Sequence, residues 1–420
     1  MFFHFDIPVY KPGWEWRSWT GLPDPNLYQP TKLDTDQWME AAKAVGARYA
    51  VFVAKHCSGF LQWQSDLYPY GLKQTSWRSG KGDVVADFIE SCHKYGIKPG
   101  LYASVSANAY LEVDNPGLVN RGKGGDILRQ RDYNGICEQM ATELWSRYGD
   151  LFELWFDGGA LPPEQNGPDL IPIMKRYQPN AISFQGPPGA DNLVRWVGNE
   201  RGVAPYPCWN TSDEGTSEGG TVEKCFAGHS QGSRWIPGEC DVPIRNHAWF
   251  WKEGDEHKIY SLDELMEMYY CSVGRNCNLL INANPNTDGL VPEQDMRRYE
   301  EFGREIKRRF STAVASTKGT GIKVSLDLNR LQQIDHVVLM EDIAHGERIL
   351  EYVVEYLGAD QEWKVLCSGE SIGHKCIQKF PAIRTSGIRL RVIRSKAEPY
   401  IRELAVYNTL EQVSGFDASS

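Results

Sequence analysis

Short apolar runs alternate with segments of helical periodicity over the first three quarters of the chain. Trp38, Ala41, Ala42 and Val45 are spaced as on one face of a helix, and similar spacing predicts helices over 33–46, 85–92, 137–144, 261–269 and 292–309. The apolar runs predict strands at 2–7, 49–54, 100–102, 151–156, 181–184, 194–197 and 279–281. About eight strand–helix units in roughly 300 residues favour a closed (β/α)8 barrel. A doubly wound open sheet is the alternative, but the chain has no glycine-rich phosphate loop to support it.

Two later segments differ from this pattern. Residues 201–260 are rich in Gly, Ser and Pro and show little periodicity, which is typical of a long functional loop. After about residue 312, apolar and polar residues alternate, first at 322–328 and then at 337–340, 352–356, 388–392 and 401–406. This alternation predicts an antiparallel, jelly-roll-like β-sandwich. We therefore expect a catalytic barrel over 1–310 and a β-sandwich over 311–420.

Composition and charge narrow the class of ligand. Aromatic residues make up 12% of the chain, with 14 Trp and 20 Tyr, which suits a site where flat rings stack on sugars but also suits an ordinary core. The net charge of −10 argues against nucleic acid or an anionic membrane as the main partner. No apolar run approaches the roughly 18 residues of a membrane span.

Neither the first residues nor the cysteines indicate the cellular compartment of the protein. Residues 1–5 lack the basic segment and the cleavage site of a signal peptide, so we expect none in this sequence. Ten cysteines are scattered without a CxxC pair, so the spacing predicts neither a zinc site nor a required disulfide. A periplasmic, secreted or lysosome-like location stays open.

Polar side chains follow several of the predicted strands. The run at 151–156 ends in Asp157, and two glycines then let the chain turn away. Because the carboxyl ends of barrel strands share one face, we expect the residues at these ends to converge. They are His4, Lys55, His56, Asp157, Glu200 and Asn282.

Two carboxylates near aromatic residues indicate glycoside hydrolysis. One carboxylate attacks or stabilises the anomeric carbon, and the other protonates the leaving oxygen and then activates water. Each residue also has a structural alternative: Asp157 could cap a helix, His4 could be a core histidine, and Glu200 could lie on a surface loop. The residues taken together are stronger evidence for glycoside hydrolysis than any one of them alone.

Several motifs resemble those of the α-L-fucosidases of glycoside hydrolase family 29. They are residues 3–5 (Phe-His-Phe), 30–33, 54–56 with Gly59, Phe60 and Trp63, 155–158 (Trp-Phe-Asp-Gly), 195–200 (Arg-Trp-Val-Gly-Asn-Glu) and 273–280. The match covers most of residues 1–310. The segment at 195–200, with Pro207, Trp209 and Asn210, resembles the subfamily that favours α-1,3/α-1,4-linked fucose.

The resemblance implies a role for each matching residue. Asp157 would be the nucleophile and Glu200 the general acid/base of an exo-acting, retaining α-L-fucosidase, which predicts carboxyl groups roughly 5–5.5 Å apart. The substrate would be a fucosylated oligosaccharide or glycoconjugate, and no cofactor or metal is expected. The implied sugar-binding residues are His4, Glu15, Trp16, His56, Trp63 and, as a weaker candidate, Arg245. The methyl group of fucose needs an apolar wall, for which Trp63, Phe60 and Trp249 are candidates.

The chain also departs from the family pattern. Cys57 and Ser58 stand where the family has a second His and an Asp, and residues 6–8 (Asp-Ile-Pro) replace the usual Gly-Met-Asn. Two alternatives therefore stay open: a fucose-binding protein with impaired catalysis, and a hydrolase for a related sugar such as an α-L-galactoside.

Overall fold

The computed structural model describes residues 1–119, 129–213 and 226–410. Eight parallel strands close into a barrel in the order β1–β8–β7–β6–β5–β4–β3–β2. The strands are β1 (Phe2–Phe3), β2 (Tyr49–Lys55), β3 (Lys98–Ala103), β4 (Glu153–Trp155), β5 (Ile182–Phe184), β6 (Leu193–Trp196), β7 (Gly238–Pro243) and β8 (Asn278–Ala283). The predicted barrel is confirmed.

Helices surround the barrel strands, and all of them except Ile171–Tyr177, which the spacing did not predict, follow the predicted apolar spacing. They are α1 (Thr35–Ala44), α2 (Val84–Tyr95), α3 (Gln130–Arg147), α4 (Ile171–Tyr177), α5 (Leu262–Cys271) and α6 (Glu293–Phe310). Helix α5 begins with the predicted capping box, in which Ser261 and Glu264 satisfy each other's backbone N–H groups. None of the described helices is long and apolar enough to cross a membrane.

Side-chain alternation divides each barrel strand between two cores. In β2, Val51 and Val53 pack inside the barrel, whereas Ala50, Phe52 and Ala54 belong to the core between strands and helices. In β4, Trp155 points inward, and Tyr102 of β3 lies beside it in the strand register. Continued alternation directs residue 157 to the barrel axis as well.

The C-terminal region is antiparallel, as predicted. Its strands are β9 (Ala315–Thr320), β10 (Lys323–Glu341), β11 (Ile349–Leu357), β12 (Trp363–Gly369), β13 (Cys376–Ser395) and β14 (Tyr400–Tyr407), paired in the order β9–β14–β10–β13–β11–β12. Register shifts between β10 and β13 interrupt the long ladder, and the sheet encloses its own apolar core. Val337 and Leu339 point into that core, whereas Val338 packs against the barrel. Residues 411–420 of the predicted sandwich lie outside the described residues.

Two strands of the barrel differ most from the sequence prediction. The first strand ends at Phe3 rather than residue 7, because Asp6 caps a 3-10 turn over Ile7–Tyr10 that has Pro8 near its start. The segment 201–260 contains β7, a complete barrel strand, although we expected a loop. Its sequence, Gly-Glu-Cys-Asp-Val-Pro, carries two acids and therefore has no apolar run.

Candidate active site

Asp157 lies at the mouth of the barrel, two residues after the end of β4. Gly158 and Gly159 both have positive φ, at +68° and +80°, so the chain turns away at once and leaves the carboxyl group at the strand end. The Tyr102 hydroxyl donates to Asp157 Oδ2 at 3.0 Å, and the Ser106 hydroxyl donates to the Asp157 backbone oxygen at 2.6 Å. The Tyr102 contact orients the carboxylate, and the Ser106 contact holds the backbone that carries it.

Opposing effects act on the ionisation of Asp157. Burial raises its pKa above the usual range, and the charge of Glu200 raises it further. The Tyr102 hydrogen bond, the charge of Arg17 and a contact with Cys57 lower that pKa again. The charge of Arg17 thus reaches Asp157, and the Arg17 guanidinium also stacks on Trp16, 4.4 Å from the ring centroid.

Two imidazoles lie beside this carboxylate within a group of aromatic rings. The His4 and His56 ring centroids are 6.0 Å apart, and His56 lies nearly parallel to Tyr102 at 5.8 Å. His4 Nδ1 is 2.7 Å from Asn282 Oδ1 at the end of β8. Burial lowers the pKa of His4 to about 3, and burial with the charges of His4 and Lys55 lowers the pKa of His56 well below its usual value. Both rings are therefore neutral and able to donate or accept a hydrogen bond.

Trp249 connects the second carboxylate to this group. Its indole N–H donates to Glu200 Oε2 at 2.9 Å, and its ring lies 4.8 Å from that of His4. Its backbone oxygen accepts from Asn282 Nδ2 at 3.0 Å. The Glu200 side chain is exposed to solvent.

The loop after Glu200 is anchored to the C-terminal sheet. The backbone N–H of Asn210 donates to both oxygens of buried Glu347, at 2.9 and 3.2 Å, and the backbone N–H of Cys208 donates to Ser371 Oγ at 3.3 Å. Asn210 Nδ2 donates to Asn276 Oδ1 at 2.9 Å, before β8. We call residues 197–210 the Glu200 loop.

Strand β7 adds a third acid near the pair. Asp241 points into the barrel, and the Trp196 indole donates to its Oδ1 at 2.8 Å. Burial raises the pKa of Asp241 well above its usual value, and the charge of Glu200 raises it further. Asp241 is not among the residues predicted from the sequence. The alternation of Glu239 and Asp241 with Cys240 and Val242 was the available signal.

Asp6 and Ser58, which both differ from the family pattern, are in contact in the structure. Ser58 Oγ donates to Asp6 Oδ2 at 2.5 Å, and both side chains are fully buried. Burial raises the pKa of Asp6 to about 7. The two residues that differ from the family pattern are therefore hydrogen-bonded to each other in this chain.

Four of the predicted sugar-binding residues lie outside this group of rings. The Trp63 indole donates to Glu143 of α3 at 2.8 Å, and Arg245 pairs with Asp295 of α6 at 3.0 and 3.1 Å. Both side chains are buried, and these partners lie on the outer helices. Glu15 and Trp16 lie at the rim next to Arg17. A role in sugar binding stays a prediction for all four residues.

Comparison with known proteins identifies the family. The sequence profile described as "Alpha-L-fucosidase" matches residues 2–309. The chain belongs to the α-L-fucosidase family. It is therefore an enzyme, a glycoside hydrolase.

Relatives of this glycoside hydrolase align over nearly its whole length. Alpha-L-fucosidase 1 of Arabidopsis thaliana is 30% identical over 99% of this chain and 85% of its own. A solved candidate α-L-fucosidase from Bacteroides thetaiotaomicron is 40% identical with a TM-score of 0.91, covering 97% of this chain and 95% of its own. A solved glycoside hydrolase 29 member from an unknown rumen bacterium is 27% identical with a TM-score of 0.84, and the match covers 98% of this chain and 75% of that one. Both the barrel and the C-terminal sheet are shared with these relatives.

Proposed function

We propose that this protein is an exo-acting, retaining α-L-fucosidase that releases terminal α-1,3- or α-1,4-linked L-fucose from glycans, without a cofactor. The observation that carries the proposal is Asp157 at a barrel strand end, oriented by Tyr102 and within electrostatic reach of Glu200. The family match supports the sugar, and the resemblance of residues 195–200 to one subfamily supports the linkage.

The reaction uses the two carboxylates in turn. An Asp157 oxygen attacks the anomeric carbon, the bond to the leaving oxygen breaks, and Glu200 transfers its proton to that oxygen. Glu200 then takes a proton from water, and the resulting hydroxide attacks the same carbon. The fucosyl–Asp157 bond breaks, and fucose leaves with its original configuration. The Tyr102 hydrogen bond keeps Asp157 ionised and oriented for the first step.

Neutral imidazoles and an aromatic wall suit a deoxy sugar. His4 and His56 are uncharged at neutral pH, so they bind hydroxyl groups without repelling an oxocarbenium-like transition state. Among the three candidates for the methyl wall, Trp249 contacts both His4 and Glu200, whereas Phe60 stacks on Tyr28 at 5.2 Å, away from that pair. Trp249 is therefore the preferred wall, and an apolar wall disfavours the additional hydroxyl of L-galactose.

Product analysis tests this proposal. The enzyme is incubated with Lewis a and Lewis x trisaccharides and, in parallel, with α-1,2- and α-1,6-fucosides, and free fucose is measured. We expect release from the first two substrates. No fucose from any of the fucosides would refute the activity, and preferred cleavage of α-1,2 or α-1,6 linkages would refute the linkage.

Azide rescue separates the roles of the two carboxylates. Asp157→Ala should lose nearly all turnover and form β-fucosyl azide when azide is added, because azide enters from the face that Asp157 leaves open. Glu200→Ala, with an activated aryl fucoside, should instead form α-fucosyl azide by attack on the covalent intermediate. Near-normal activity of Asp157→Ala would refute the nucleophile assignment.

A further inference from the structure

Three different metal-ligand side chains meet at the proposed nucleophile. Within the described residues, the potential ligand atoms of His56, Cys57 and Asp157 all lie within 4.8 Å of one another. The Cys57 sulfur is 3.9 Å from Asp157 Oδ2. His56 and Cys57 follow β2 and Asp157 follows β4, so two rigid strand ends hold the three groups. No other such group of three occurs in the part of the chain that the structure describes.

The spacing is close to that of a zinc site. Zinc bonds of about 2.0–2.3 Å in a tetrahedron place ligand atoms roughly 3.3–3.8 Å apart. The Cys57–Asp157 separation of 3.9 Å is near that range, and the 4.8 Å limit of the whole group requires side-chain shifts of about 1 Å or less. Imidazole nitrogen, thiolate sulfur and carboxylate oxygen are also the three ligand types that zinc uses.

The ligand atoms have few competing contacts. His56 Nδ1 is buried and has no hydrogen-bond partner among the described residues. Among the residues that the structure describes, the hydrogen-bond contacts of the Cys57 sulfur are long, at 3.8–3.9 Å, with Tyr102, Ser104 and Asp157. Cys57 is also the residue that replaces the second His of the family pattern. The departure therefore supplies a thiol next to the nucleophile.

We propose that His56, Cys57 and Asp157 bind a thiophilic divalent cation such as Zn²⁺, and that this cation inhibits the enzyme reversibly. Binding breaks the Cys57 S–H bond and releases the proton to solvent, while bonds form from the metal to sulfur, to nitrogen and to a carboxylate oxygen. No electron is transferred. Thiolate and carboxylate together balance the two positive charges, and solvent fills the remaining position.

Inhibition follows from the ligand that the metal shares with catalysis. An Asp157 oxygen bound to the metal cannot attack an anomeric carbon, and the metal occupies space that the sugar needs. Zn²⁺ and substrate should therefore compete. This part of the inference rests on the proposed role of Asp157, whereas metal binding itself does not.

The first experiment compares two cysteine variants. Cys57→Ser preserves side-chain size but removes the soft ligand, and Cys271→Ser is the matched control. The Cys271 thiol also contacts an acid, at 3.5 Å from Glu267 Oε1, but belongs to no three-ligand group among the described residues. We expect competitive, EDTA-reversible inhibition of the wild type and of Cys271→Ser. Mutation of a residue that only supports a metal ligand weakens metal binding by about 10- to 100-fold. Because Cys57 is itself a proposed ligand, Cys57→Ser should raise the inhibition constant for Zn²⁺ by more than this. Equal inhibition of Cys57→Ser and the wild type would overturn the site.

The second experiment measures metal binding without turnover. Co²⁺ bound at this site should give a thiolate-to-metal charge-transfer absorption in the wild type and in Cys271→Ser but not in Cys57→Ser, and thermal unfolding reports whether each variant is folded. Asp157→Asn then separates the two proposals. A variant that is inactive but has unchanged Co²⁺ affinity would overturn the metal site alone. A variant that is active but binds Co²⁺ weakly would overturn the nucleophile assignment alone.

Discussion

Replacing Tyr102 with Phe removes one hydroxyl that donates to Asp157 Oδ2 at 3.0 Å. Tyr102 is only 1% exposed, so water cannot easily replace this donor. A hydrogen bond to a charged group contributes about 1.5–3 kcal/mol, equivalent to a factor of roughly 10–150. Because the bond stabilises the ionised form of Asp157, its loss raises the pKa of that group and reduces the ionised fraction at acidic pH.

The expected result is a shift of the acid limb of the pH profile. In Tyr102→Phe, kcat/KM at low pH should fall by about 10- to 150-fold and approach the wild-type value as the pH rises. Tyr148→Phe is the matched control, because the Tyr148 hydroxyl donates to another carboxylate, Asp83 Oδ2, at 2.8 Å and away from the site. An acid limb that coincides with the wild type in Tyr102→Phe would refute the reasoning. A shift in both variants would assign the effect to general destabilisation.

Two further predictions concern buried acids. Arg245→Met leaves Asp295 buried without its partner, so the free energy of unfolding measured in urea should fall by about 3–5 kcal/mol. A raised KM with unchanged stability would instead support a sugar-pocket role for Arg245. Burial raises the pKa of Glu347 from its usual 4.5 to about 7, so its contribution to stability is present below pH 4.5 and is lost as the pH rises through 7. Between pH 4.5 and pH 7 the free energy of unfolding of the wild type should therefore fall by up to about 3 kcal/mol relative to that of Glu347→Gln. Equal pH dependence of the free energy of unfolding in the two proteins would contradict this prediction.

The sequence predicted most of the barrel because its strands and helices carry local signals. Asp157, Glu200, His4 and His56 could be named in advance because each belongs to a recognisable motif, and three of them follow a regular strand closely. Their roles in catalysis and binding stay predictions.

Strand β7 has no apolar run that would predict a strand, because residues distant in the sequence provide the hydrogen bonds that allow its two acids to be buried. The Glu239 carboxyl accepts hydrogen bonds from Tyr49 of β2, Trp155 of β4 and Asn278 of β8, and Asp241 accepts one from Trp196. These partners come from other strands, so a window around residue 239 shows two acids and no reason to bury them. The Ser58–Asp6 pair was missed for the same reason, since its members are on different segments.

The anchoring of the Glu200 loop makes the C-terminal sheet relevant to stereochemistry. Retaining glycosidases keep their carboxyl groups about 5–5.5 Å apart, whereas inverting ones need about 6.5–9.5 Å to admit a water molecule between them. Asp157 is fixed by the barrel, but the loop that carries Glu200 is anchored through Asn210 to Glu347, which lies in the connection between β10 and β11 of the C-terminal region. If Asp157 and Glu200 are the catalytic pair that we propose, a displacement of the C-terminal region by a few ångströms would change the separation on which the outcome at the anomeric carbon depends. On the proposed roles of Asp157 and Glu200, the second region of this chain would therefore help to determine the configuration of the released sugar.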